Sequence, residues 1–194
     1  ACSRKAKKAT GSIMIGFTTT FPGGNGVVLM IDEDGPVPIV RFAAEPKNCP
    51  QTMWFHFILD GLHGRGARVI LANAEQSLGG GDWSDNHIVY RPISEEWRRS
   101  GHPQAVQRAD GRTEWAWDLW AKTDEIEVAF CFPYQQPELN ALMDDCEDAF
   151  GRGFIGLTLK NRPIERVYSL DAAEKPAIYL TARHHAGETP GSWV

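Results

Sequence analysis

The sequence predicts a mainly β fold: an antiparallel β-sandwich, then a linking helix, then the first strands of an α/β domain. Three observations carry this reading. From residue 13 onward, short β-rich runs alternate with clusters of Gly, Pro, Asn and Asp, the texture of a sandwich or barrel. Residues 135–150 switch to a helical period. Near the end, Ala177-Ile178-Tyr179-Leu180-Thr181-Ala182 is an unbroken apolar run, which suits a strand covered on both faces.

Composition narrows the function classes. The chain has 194 residues, 42% apolar and 23% charged, which is globular rather than disordered. No stretch approaches the ~20 consecutive apolar residues that a bilayer span needs, so no membrane is expected. Twenty-five acidic against 20 basic residues leave a net charge of −5, the wrong sign for a nucleic-acid partner. The four cysteines are widely spaced, with no C-x-x-C pair. Reduced thiols and a cytoplasmic address are therefore expected, with Cys131 buried and inert inside Val128-Ala129-Phe130-Cys131-Phe132. Residues 1–12 read as a flexible basic leader. They lack the apolar core of a signal peptide, although a lipoprotein or periplasmic start near Cys2 is the alternative.

The elements follow in order. Strands are predicted at 13–20, 27–31, 39–42, 53–59, 67–71, 88–91, 113–119 and 125–132, with turns at 21–26, 32–35, 60–61 and 64–66. Trp54-Phe55-His56-Phe57 and Trp115-Ala116-Trp117 alternate as a strand with one inward row does. Most of the seven Trp are assigned to core packing. In 135–150, Leu139, Leu142, Met143 and Cys146 fall at i, i+3, i+4 and i+7, with Pro137 in the first turn. Gly151-Arg152-Gly153 is read as the helix break and a domain boundary. A hairpin of 154–160 and 164–170 turns at Asn161-Arg162-Pro163, and a polar bridge leads to the apolar run. Thr189 and Pro190 have the chemistry of an N-cap and first helical residue. With only four residues left, the expectation is a chain cut within a domain. The organisation is thus a leader (1–12), a β-sandwich (13–134), a linking helix (135–152) and the start of a second domain (153–194).

His185 and Glu188 form H-x-x-E after the apolar run. An imidazole nitrogen and a carboxylate oxygen three residues apart can converge on one divalent ion, and Zn²⁺ accepts both donors. By spacing alone, a surface turn with two solvated side chains is the favoured reading. The Gly-rich segments 21–26 and 79–82 lack the Lys-Ser or Lys-Thr of a phosphate loop. Asp144, Asp145, Glu147 and Asp148 read as a solvated helix face. Trp83, Trp97 and Trp120 flank Gly- and charge-rich loops. They belong against the sandwich rim, or, if exposed in a row, they would make a carbohydrate- or protein-binding surface with no chemistry.

The segment Lys175-Pro176-Ala177-Ile178-Tyr179-Leu180-Thr181-Ala182-Arg183-His184-His185-Ala186-Gly187-Glu188-Thr189 resembles the first zinc-ligand segment of the zinc carboxypeptidase family, typified by carboxypeptidase A. Residues 156–170, with Asn161-Arg162-Pro163-Ile164, resemble the hairpin that opens the family's catalytic domain. Residues 21–26, Trp54-Phe55-His56-Phe57, Tyr90-Arg91-Pro92 and Phe130-Cys131-Phe132-Pro133-Tyr134 resemble the β-sandwich that precedes catalysis in the branch of cytosolic carboxypeptidases and their bacterial relatives. The resemblance implies a metallopeptidase, incomplete here, that removes C-terminal amino acids from peptides or proteins. It implies Zn²⁺ held by His185, Glu188 and a later His, with a general-base Glu also beyond Val194. His184, Ala186 and Asn161 depart from the usual pattern without removing a ligand. His56, His63, His87 and His102 are assigned to strands and loops of the sandwich, and no catalytic residue is assigned within the chain. The expectation is an inactive chain with weak zinc binding and an oligomeric state that the sequence leaves open.

Overall fold

A computed structural model describes residues 14–47, 51–171, 176 and 178–194. The leader 1–12, Cys2, Cys49 and residues 172–175 of the polar bridge lie outside the described residues. The chain divides into two compact units, one ending at Phe132 and one running from Pro133 to Val194.

The first unit contains β1 (Gly16–Thr18), β2 (Val27–Asp32), β3 (Ile39–Ala43), β4 (His56–Asp60), β5 (Ala67–Leu71), β6 (Val89–Pro92), β7 (Arg98–Arg99), β8 (Gln104–Gln107), β9 (Thr113–Leu119) and β10 (Ile126–Ala129). They form two five-stranded sheets, β1-β4-β10-β6-β7 and β2-β3-β5-β9-β8. All pairs are antiparallel except β3 with β5. The chain visits the opposite sheet as β4 between those two strands, and such a crossover brings the returning strand back parallel. The sequence period does not report a pairing of this kind.

The core lies between the sheets. Val40, Phe42, Val69, Leu71, Trp117 and Leu119 from one sheet meet Phe57, Leu59, Tyr90, Ile126 and Val128 from the other. The outer faces differ. On the second sheet Arg41 grips Glu114 through two nitrogens, at 2.5 and 2.9 Å, and Arg68 meets its cross-strand partner Asp118 at 2.8 Å. On the first sheet β10 and the start of β4 are buried on both faces, where Trp54, Trp97, Phe130 and Phe132 pack with Val89 and Ala129. That second apolar layer explains why all four residues of Trp54-Phe55-His56-Phe57 are buried.

Turn chemistry holds β5 in place. Gly66 has φ = +70°, and a Cβ there would lie 2.3 Å from the Leu119 carbonyl oxygen. Gly111 has φ = +85° with open space around it. Gly66→Ala is therefore expected to cost at least about 2 kcal/mol, from left-handed strain plus a backbone collision. Gly111→Ala should cost only the strain, about 1 kcal/mol. Thermal unfolding of the two variants checks this, and equal losses would refute the collision.

The second unit begins with α1 (Gln136–Asp145), followed by the hairpin β11 (Phe150–Leu157) and β12 (Pro163–Ser169). The Gln135 N–H donates to Glu138 at 2.8 Å across the first turn, and Pro137 sits where the missing N–H costs nothing. Three expectations are corrected here. Gly151-Arg152-Gly153 is not where the helix ends, since α1 stops at Asp145, and it lies within β11. Gly151 opposes Tyr168, and a Cβ would fall 2.6 Å from that ring, so the glycine makes room for a cross-strand aromatic. Ile178, Tyr179 and Leu180 form no strand and are exposed, because burial on both faces requires neighbouring strands and covering helices and none pairs with them among the described residues. Cys131 is half-buried rather than buried. It sits at the margin of the outer apolar layer, outside the inter-sheet core.

Candidate metal centre

The last segment turns sharply before its two candidate ligands. Arg183 adopts φ = +61°. Its guanidinium donates to the carbonyls of Tyr134 and, at 3.3 Å, of Ala186. The Glu188 N–H donates to the His185 carbonyl at 3.1 Å, closing one turn of chain. A short 3-10 helix, Thr189–Ser192, follows with Pro190 in its first turn. Thr189 lies one position inside this helix, because Glu188 takes the preceding boundary position. Trp193 packs edge-on against Tyr134, ring centroids 5.0 Å apart.

That turn brings His185 and Glu188 together. His185 Nδ1 lies 2.6 Å from Glu188 Oε1, and the His185 backbone N–H donates to Oε2 at 3.1 Å. A carboxylate only accepts, so the imidazole proton sits on Nδ1 and points at Glu188. The hydrogen bond from the His185 side chain, followed by the one from its backbone, holds the Glu188 carboxyl below its ordinary range. Both side chains are exposed. An imidazole nitrogen and a carboxylate oxygen are donors that Zn²⁺ takes, and a metal ion here would replace the proton that the two now share. Among the described residues no third His, Cys or carboxylate joins them.

The other histidines lie elsewhere. His56 is buried in β4, with Nε2 bonded to Glu127 at 2.7 Å. His63 is an exposed turn residue beside Asp124. His87 and His102 meet Asp85 at the base of the β6–β7 pair, a grouping that sequence spacing conceals. Fourteen residues separate the two histidines, and β7 is an Arg-Arg pair without an apolar pattern. Only the pairing of Val89 with Arg99 brings them together. Trp83 is buried in the core, its indole N–H on the Ala74 carbonyl at 3.1 Å. Trp97 is partly covered and Trp120 exposed. The three therefore form no aromatic row for a carbohydrate. Asp144, Asp145, Glu147 and Asp148 are exposed.

Residues 17–131 match the model of the cytosolic carboxypeptidase N-terminal domain. The chain belongs to that family. The resemblance drawn from its motifs is thereby borne out, as is the mainly β, sandwich-led fold. No curated protein matches the chain. Among solved structures, a metallo-carboxypeptidase from Burkholderia cenocepacia is similar at a TM-score of 0.74 and 20% identity, over 93% of this chain and 46% of that one. A metallo-carboxypeptidase from Pseudomonas aeruginosa, in complex with (2-guanidinoethylmercapto)succinic acid, is similar at 0.59 and 25% identity, over 78% and 39%. This member of the cytosolic carboxypeptidase N-terminal family thus spans less than half the length of either structure. It has a carboxypeptidase-like architecture, and no helix among its described residues is long and apolar enough to cross a membrane.

Proposed function

We propose that the chain is the N-terminal portion of a zinc metallocarboxypeptidase that removes C-terminal amino acids from peptides or proteins, with His185 and Glu188 as two of the zinc ligands. The observation that carries this reading is the direct pairing of His185 Nδ1 with Glu188 Oε1 at 2.6 Å, in a chain whose sandwich is that of a carboxypeptidase family. In this reading residues 1–134 are a leader and sandwich that brace the catalytic domain, residues 135–152 link them, and residues 153–194 begin that domain. A bound zinc ion would lower the pKa of its water and polarise the scissile carbonyl. The chain's own contribution is to orient the two donors through one tight turn and to keep Glu188 ionised. Two protein ligands leave half of a tetrahedral site unfilled, so this pair alone holds zinc weakly and the 194-residue chain hydrolyses no peptide.

The test extends the chain by whatever its gene encodes past Val194 and measures amino-acid release from peptide C-termini. The extended enzyme should be active, inhibited by chelators, and reduced more than about 100-fold by either His185→Ala or Glu188→Ala, since loss of mere outer partners already costs 10–100-fold. The chain ending at Val194 should release nothing. Full activity in either extended variant, or none in the extended enzyme with zinc supplied, would overturn the reading.

A further inference from the structure

We propose that Asp85, His87 and His102 form a second site, on the sandwich, that binds a borderline divalent transition metal, with Zn²⁺ as its natural probe. One ligand atom from each of the three lies within 4.8 Å of the others. His102 Nδ1 and Asp85 Oδ1 are 3.5 Å apart. Two donors on one tetrahedral ion, with bonds of about 2.0–2.1 Å, stand about 3.4 Å from each other, so this pair already has the spacing of a shared metal. The contrast with His185 and Glu188 is direct, because 2.6 Å is the spacing of a shared proton.

The third donor is prepared by its backbone partner. His87 Nδ1 lies 2.8 Å from the Ser100 carbonyl oxygen. A carbonyl only accepts, so the proton is on Nδ1 and the Nε2 lone pair is left available. A bond of this kind to the distal nitrogen fixes tautomer and ring orientation in metal-binding histidines. The His102 ring sits 4.4 Å from that of His87, tilted by 58°.

The surrounding backbone is fixed from both sides. The Ser100 N–H donates to the Ile88 carbonyl at 2.8 Å, extending the β6–β7 pairing toward the site. The Trp117 indole donates to the Asn86 carbonyl at 2.9 Å, between two of the ligands. Ile88 and Trp83 are buried in the core. The three ligands lie in a turn and two short loops beside β6, β7 and β8, tied to the sheet at these points, while the Asp85 and His102 side chains reach water. As a simple ion pair, exposed Asp85 and His102 would contribute little, and that reading gives His87 no part. Two imidazoles and one carboxylate select zinc and its first-row neighbours over calcium and magnesium, which take oxygen donors. The fourth position is left to water.

Calorimetric titration of the metal-stripped chain with ZnCl₂ tests this. One equivalent should bind with micromolar affinity, and CaCl₂ should give no heat. His102→Ala and Asp85→Asn, both at exposed side chains, should each weaken zinc at least tenfold. His185→Ala and Glu188→Ala should remove only a weaker zinc phase and leave the micromolar equivalent in place, which separates this site from the peptidase ligands. Circular dichroism of each variant verifies the fold, and the visible spectrum of the Co²⁺-loaded chain should lose intensity in His102→Ala. Absence of zinc binding in the parent chain, or binding that survives His102→Ala and disappears in His185→Ala, would overturn the proposal.

Discussion

Phe57→Ala is expected to lower the stability of the sandwich by roughly 3–5 kcal/mol, the usual cost of deleting a buried aromatic. Phe57 is fully buried at the middle of the inter-sheet core. It stacks on Phe17 at 4.6 Å within its own sheet and meets Phe42 of the opposite sheet at 4.7 Å. Its cross-strand partner is Val128, also fully buried. Truncation removes contacts on both sheets at once and leaves a cavity that two rigid sheets cannot close. Phe57→Leu keeps much of the volume and should cost about 1.5 kcal/mol. Chemical denaturation of both variants checks this, with the midpoint falling and the slope unchanged. A loss under about 1 kcal/mol for the alanine variant would mean that the sheets are not joined through this ring.

The second large effect is expected at Glu127. Its carboxylate lies on the outer face of the first sheet, where Oε1 accepts from His56 Nε2 at 2.7 Å and Oε2 from Arg91 Nε at 2.7 Å. Arg91 in turn stacks over the Trp97 ring at 4.6 Å. His56 is enclosed by Phe21 and Trp54, and its Nδ1 has no hydrogen-bond partner among the described residues. Glu127→Ala would strand the second ring nitrogen as well and leave the guanidinium without its carboxylate. The expected cost is about 2–4 kcal/mol, below the full penalty for a broken buried pair because Arg91 reaches solvent. Glu127→Gln keeps an acceptor for His56 and should cost less.

The same residue sets an acid dependence. Burial pushes the Glu127 carboxyl up, and the hydrogen bonds from His56 and Arg91 together outweigh it, so the group titrates below its usual range. A depressed folded pKa stabilises the fold above the unfolded glutamate value, about 4.3. That contribution is lost as the pH falls through the folded pKa. The stability gap between the parent chain and Glu127→Gln should therefore be constant near neutrality and shrink in acid. A gap that holds level below pH ~4 would contradict the assignment.

Much of the sandwich was legible because its signals are local. Residues 67–71 and 113–119 match β5 and β9 at both ends, since β-branched and aromatic runs between turn residues describe a strand without reference to anything distant. The edge strands β7 and β8 were not legible. Arg98–Arg99 and Gln104–Gln107 bury almost nothing, so no hydrophobic alternation marks them. Glycine misled in β11 because its meaning depends on Tyr168 across the hairpin. The apolar run at Ile178, Tyr179 and Leu180 misled for the opposite reason: its side chains suit a buried strand, but a strand exists only beside another.

By itself, the sequence determined the β-rich class, the Trp- and Phe-rich core and the nearness of His185 to Glu188, because a strand's alternation and a three-residue turn are set by neighbouring residues. Tertiary structure alone decided that β3 and β5 run parallel, that His56 and Glu127 share a buried face, and that Asp85, His87 and His102 meet. These depend on which strands pair, a choice made by the free energy of burying both sheets together rather than by any local preference.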